Sequence, residues 1–160
     1  MLRSLLLVGV LSGCTSMVPG NALWLSQLDP LSADPGDITV ALELPAGLGV
    51  LPDSVQLSLS AKRTGHGSVG GSWVLAEARD PLDRRVYRVA SQDLTELRTV
   101  QMQAQAWEEV DPGGTTGSLS LALGGRRTVP AAQLAGARGS VLLGLAQDPP
   151  PRALFRDAPV

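Results

Sequence analysis

Ile38-Thr39-Val40-Ala41-Leu42-Glu43-Leu44 and Val55-Gln56-Leu57-Ser58-Leu59-Ser60-Ala61 carry the pattern that decides the fold. In both runs apolar side chains alternate with small or polar ones. A period of two sets one face of the chain on a core and the other in water, which defines a half-buried β-strand. Asp34-Pro35-Gly36-Asp37 is a turn signal ahead of the first run, and Pro45-Ala46-Gly47 breaks it at the other end.

Working outward, the same alternation recurs in weaker form. Residues 73–78 and 86–89 read as short strands, separated by the turn Asp80-Pro81-Leu82-Asp83. Leu119, Leu121 and Leu123 alternate with Ser118, Ser120 and Ala122. Residues 64–71 read as a Gly-rich hairpin loop, and residues 23–28 as a short apolar strand ending at Asp29-Pro30. Residues 141–145 read as the last strand. The prolines at 149–151 read as an extended, exposed path to the C-terminus.

Residues 91–110 carry two periods at once. Gln101, Gln103 and Gln105 alternate with Val100, Met102, Ala104 and Ala106, as in a strand. Gln, Ala, Met, Leu, Glu and Arg nonetheless favour helix over strand. Ser91 offers a cap, Asp93 and Glu96 suit the positive end of a helix dipole, and Asp111-Pro112-Gly113-Gly114 is a stop. Leu97, Val100, Ala104 and Trp107 share one helical face. The preferred reading is an amphipathic helix near 92–109. The expected fold is mainly β: an antiparallel β-sandwich, immunoglobulin-like or transthyretin-like, of about six to seven strands with that one helix. The alternative is an all-β sandwich with the same segment as a strand.

With 160 residues the chain has material for one domain and a modest core. Aromatic residues are only 3%, so Leu, Val and Ala must fill that core. The net charge of −2 is spread along the chain without a basic stripe, which argues against nucleic acid as a partner. One cysteine excludes an internal disulfide. Together with the single histidine, it leaves little material for a zinc, haem, Ser-His or Cys-His centre.

Arg3 and the apolar residues 5–11 form a short positive and a short hydrophobic region, followed by Ser12 and Gly13. This is secretory signal architecture, and the run is far shorter than the roughly 20 residues that span a bilayer. Leu11-Ser12-Gly13-Cys14 resembles the lipobox of bacterial lipoproteins, a likeness confined to the first fourteen residues. The resemblance implies that residues 1–13 are a signal peptide removed before Cys14, whose thiol carries a diacylglycerol. Thr15, where Asp would favour inner-membrane retention, implies an outer-membrane address facing the periplasm. One acyl chain binds a membrane reversibly; two or three anchor it durably. Residues 14–22 then read as a lipidated tether, and residues 23–160 as a single β-rich domain.

Candidate chemistry is sparse. Gly65-His66-Gly67-Ser68-Val69-Gly70 satisfies a dinucleotide-binding string, but that motif needs a strand before it and a helix after it. Here it leads into strand-like residues, so hairpin glycines are the better reading. Ser68 beside His66 suggests a hydrolase, but a Gly-rich loop is a poor scaffold for a nucleophile and its base. The pairs Asp34/Asp37 and Asp80/Asp83 supply too few oxygens for calcium and suit turns instead. Glu108, Glu109 and Asp111 read as a solvated end of the helix, and Arg84-Arg85 and Arg126-Arg127 as solvated loop charge. No catalytic, cofactor-binding or metal residue is assigned, and no cofactor is expected. The expected function is a lipid-anchored, non-catalytic binding or scaffolding module of the cell envelope. The expected partners are the membrane, through Cys14, and another envelope protein. An envelope hydrolase and a small-ligand carrier are the alternatives.

Overall fold

The structure, a computed structural model, describes residues 30–81 and 83–145, together with a strand at 152–159. A 3-10 turn at Pro35–Asp37 opens it, where the Asp34 carboxylate accepts the Gly36 amide at 2.8 Å. The strands are β1 (Thr39–Glu43), β2 (Leu48–Val50), β3 (Gln56–Arg63), β4 (Gly67–Arg79), β5 (Arg85–Val89), β6 (Thr115–Ala122), β7 (Gly125–Arg127), β8 (Arg138–Gly144) and β9 (Arg152–Pro159). Helix α1 (Leu94–Val110) lies between β5 and β6. The main sheet is antiparallel, in the order β6-β3-β4-β5-β1-β8-β9, and β2 pairs with β7 in a small second sheet.

This is the mainly β, antiparallel architecture expected, with its one helix. The main sheet is curled, as in a sandwich or barrel. The long strand β4 joins its two parts: residues up to Val74 pair with β3, and residues from Leu75 pair with β5. The Leu75 amide still reaches the Val55 carbonyl at 2.8 Å, so the ladder is continuous through the bend.

Register puts one apolar row along the inner face. Leu121 opposes Leu57, which opposes Trp73; Leu75 opposes Val89; Val40 lies between Tyr87 and Leu143. Leu57 is 1% exposed and Val40 is fully buried, so the two strongest alternating runs of the sequence form the centre of the core. The outer face of β6-β3-β4 is polar and small. There Ser58 and Ser72 hydroxyls lie 2.6 Å apart, and those of Ser60 and Ser118 2.9 Å apart.

The disputed segment is a helix because its apolar residues reach the core at intervals of three and four, not two. Leu97, Val100 and Ala104 are buried, while Met102 on the opposite side is 60% exposed. The helix is capped two residues later than Ser91: Asp93 is the N-cap residue and its carbonyl accepts the Leu97 amide at 3.0 Å, without a side-chain cap. At the other end the Glu108 carboxylate accepts the Gly113 amide at 2.9 Å.

Three expectations are corrected. Residues 67–71 are strand, not loop, because β3 continues to Arg63 and pairs them in register. Residues 141–145 do not end the sheet, since β9 pairs with β8 beyond them. Arg126 and Arg127 lie in β7 rather than in a loop, and Arg85 opens β5. The strand expected at 23–28, the tether and Cys14 lie outside the described residues.

Tyr87 yields a prediction about alkaline stability. The residue is 4% exposed, and burial pushes the phenol above its usual value near 10. The facing Glu77 carboxylate adds to that shift and Arg85 opposes it. The folded state therefore holds this proton more tightly than the unfolded chain. The resulting stabilisation is complete below pH about 10 and is lost as pH rises through the folded value. Since Tyr87 is the single tyrosine, Tyr87→Phe is expected to flatten the fall in stability above pH 10. Urea midpoints at pH 8 and pH 10.5 for both proteins measure this.

Candidate functional site

The pairing of β2 with β7 builds one wall of a cleft. Leu48 faces Arg127, Gly49 faces Arg126 and Val50 faces Gly125. Two flanking bonds extend the ladder, Leu51 N–H to Gly124 O at 2.8 Å and Thr128 N–H to Gly47 O at 2.9 Å. The Ser54 hydroxyl fixes the far end. It accepts the Gly124 amide at 3.1 Å and lies 2.7 Å from the Leu51 carbonyl, within reach to donate. Gly47 is required at the turn before β2: its φ is +92°, and an added Cβ would stand 2.3 Å from Val129 Cγ2.

The 3-10 turn Ala131–Leu134 forms the opposite wall. Between the walls lies an open cleft of about 650 Å³, floored by Leu44, Leu48, Leu123 and Leu134, with Arg126 and Arg127 bordering it. Leu134 is buried, whereas Leu123 is 40% exposed. Arg126 runs beside Gly49. Both arginines are exposed, and among the described residues neither has a carboxylate within ion-pairing distance. The other basic doublet is engaged differently. Arg84 Nε donates to Asp80 at 2.7 Å, and Arg85 Nε forms an ion pair with Glu77 at 3.0 Å.

The residues singled out for chemistry lie elsewhere. His66 is exposed at the tip of the β3–β4 hairpin, its Nδ1 3.2 Å from the Thr64 carbonyl. Ser68 is exposed on β4 opposite Lys62. The glycines of the dinucleotide-like string serve this hairpin: Gly65 and Gly67 take φ of +78° and +97° in the turn, and no helix follows. Asp34 closes its own turn, and Asp80 accepts the Arg84 amide at 2.8 Å. Among the described residues, no three acids, histidines or cysteines gather as a metal site would require. No helix there is long and apolar enough to cross a membrane.

Sequence reading marked Arg126-Arg127 but not the cleft, whose leucines come from two distant stretches of chain, 44–48 and 123–134. The available signal was a basic doublet directly after an apolar alternating run and two glycines. No protein-family model matches the chain, and no curated protein or solved structure is significantly similar to it.

Proposed function

We propose that the chain is a non-catalytic binding module of a bacterial cell envelope, held at a membrane by acyl chains on Cys14. One observation carries the binding part. Among the described residues the cleft is lined by leucine, alanine, glycine and arginine, with no hydroxyl, carboxylate, imidazole or thiol side chain to act as nucleophile or base. Ser68 and His66, the pair that suggested hydrolysis, stand exposed on a hairpin and do not line it. The anchoring part rests on the sequence Leu11-Ser12-Gly13-Cys14 and its likeness to a lipobox. Within this reading the cleft favours capture of a small ligand alongside, or instead of, a protein partner.

The test is expression in a diderm bacterium with a clickable fatty acid, followed by mass spectrometry of the N-terminal peptide. The expected product begins at Cys14 and carries diacylglycerol. Cys14→Ser should lose the label entirely and leave the membrane fraction. An unmodified thiol, or a mature chain that retains residues 1–13, rejects the anchor. Turnover of ester substrates that disappears in Ser68→Ala rejects the non-catalytic reading.

A further inference from the structure

We infer that the cleft between the β2–β7 sheet and Ala131–Leu134 binds an amphiphile with one aliphatic chain and an anionic head, a carboxylate or a phosphate. The inference rests on the binding reading above and assigns its ligand class.

The size of the cleft, about 650 Å³, falls within the range of small-molecule sites. Among the described residues its floor is aliphatic, with Leu44, Leu48, Leu123 and Leu134 and no aromatic ring. A sugar or a nucleobase would find no stacking surface there, and its hydroxyl or amide groups would meet few polar side chains. A hydrocarbon chain matches such a floor. Leu123 remains 40% exposed beside it, apolar surface that an acyl chain would cover.

The border selects the head. Arg126 and Arg127 both line the cleft, Arg127 on the strand face it shares with Leu48, and neither is neutralised by an acid among the described residues. A guanidinium fork matches two oxygens of a carboxylate or phosphate with paired N–H bonds. In a chain of net charge −2, two arginines without an ion-pair partner among the described residues form a local positive spot at an apolar opening. A cationic head would be repelled, and a neutral head would forgo the charge-assisted bonds.

The test uses the full chain bearing Cys14→Ser, so that no acyl group of its own competes. Isothermal titration is run with dodecyl phosphate and dodecanoate below their micellar concentrations, and with dodecyl maltoside and inorganic phosphate as comparisons. Saturable one-to-one binding is expected for at least one of the two anions, about tenfold tighter than for dodecyl maltoside. The better of the two anions identifies the head. Arg126→Gln with Arg127→Gln should erase the tenfold difference while leaving weak binding of all three dodecyl compounds. Leu48→Asp should remove the binding itself, with the urea midpoint confirming a folded protein.

Equal affinity for the neutral amphiphile overturns the inference. So does an unchanged preference in the double arginine variant, or inorganic phosphate binding as tightly as its dodecyl ester. An acidic, leucine-bearing peptide that binds where both dodecyl anions fail would reassign the cleft to a protein partner. Acylation of Cys14 is read separately in the unmutated protein, so failure of the anchor and failure of the ligand assignment are told apart.

Discussion

Trp73→Ala is expected to lower the unfolding free energy by about 3–5 kcal/mol, the range for removing a buried aromatic side chain. Trp73 lies on β4, the strand that joins the two parts of the main sheet, and is 3% exposed. Its ring lies over Gly71, two residues away on the same face. A Cβ added at Gly71 would stand 2.5 Å from the ring. Its Nε1 donates to the Glu96 carboxylate at 3.2 Å, which ties β4 to the first turn of α1. The truncation therefore opens a cavity between sheet and helix and removes a bond across it. Small domains are stable by only about 5–15 kcal/mol, so the variant should sit near the edge of folding. A urea midpoint series measures this, with Trp107→Ala, on a half-exposed helix position, expected to lose much less. Gly71→Ala should be harmful alone, and its cost should shrink when combined with Trp73→Leu, because the two changes relieve the same clash. A loss below about 1 kcal/mol for Trp73→Ala would contradict the packing described.

Gln101→Glu is the second large effect, and its sign depends on pH. Gln101 is completely buried on α1. Its Nε2 donates to the Pro30 carbonyl at 2.8 Å and the Ala33 carbonyl at 2.9 Å. Its Oε1 lies 3.4 Å from an Arg98 nitrogen. One helical turn on, Gln105 Nε2 donates to the Leu31 carbonyl at 2.9 Å. Together these amides fasten residues 30–33, the first described part of the chain, to the helix. Glutamate has the same shape but places an acceptor where both carbonyls need a donor. The buried carboxylate must then be charged, with Arg98 on one side but two carbonyls facing its other oxygen, or protonated and able to satisfy one carbonyl only. Burial raises the pKa of such a group in the folded state. Relative to the native protein, Gln101→Glu should therefore be least harmful below pH about 4, where folded and unfolded chains are both protonated. The penalty should grow as pH rises, to about 3 kcal/mol or more near neutrality. Gln101→Leu, which leaves both carbonyls without donors but buries no charge, should cost about 1–3 kcal/mol at every pH. Denaturation of the three proteins at pH 4 and pH 7 separates these outcomes. A pH-independent penalty for Gln101→Glu would mean that its carboxylate is solvated, and the clamp would have to be redrawn.

The two residues show where reading the chain succeeded and where it stopped. Trp73 stood at the head of a recognisable strand, and its burial follows from the alternation of β4. Gln101 was legible only as a helix former in a glutamine-rich stretch. Its partners are backbone carbonyls some seventy residues away, and no local pattern encodes such a bond. The short strands behave similarly. Gly125–Arg127 has no alternation to detect, and it becomes a strand because Leu48–Val50 lies alongside. The strand Arg152–Pro159 follows a proline run that reads as an end, yet the free edge of β8 supplies the pairing that continues the sheet.

What the sequence determined by itself was the period: two along residues 38–44 and 55–61, which fixes a half-buried antiparallel sheet, and three to four along 92–109, once helix propensity outweighs the glutamine alternation. It also set the small inventory of reactive side chains. Tertiary structure alone decided that four leucines from separate stretches meet beside Arg126 and Arg127. The physical reason is range. Periodicity and propensity act between residues a few positions apart, whereas a cleft is made by side chains that only the folded sheet brings together.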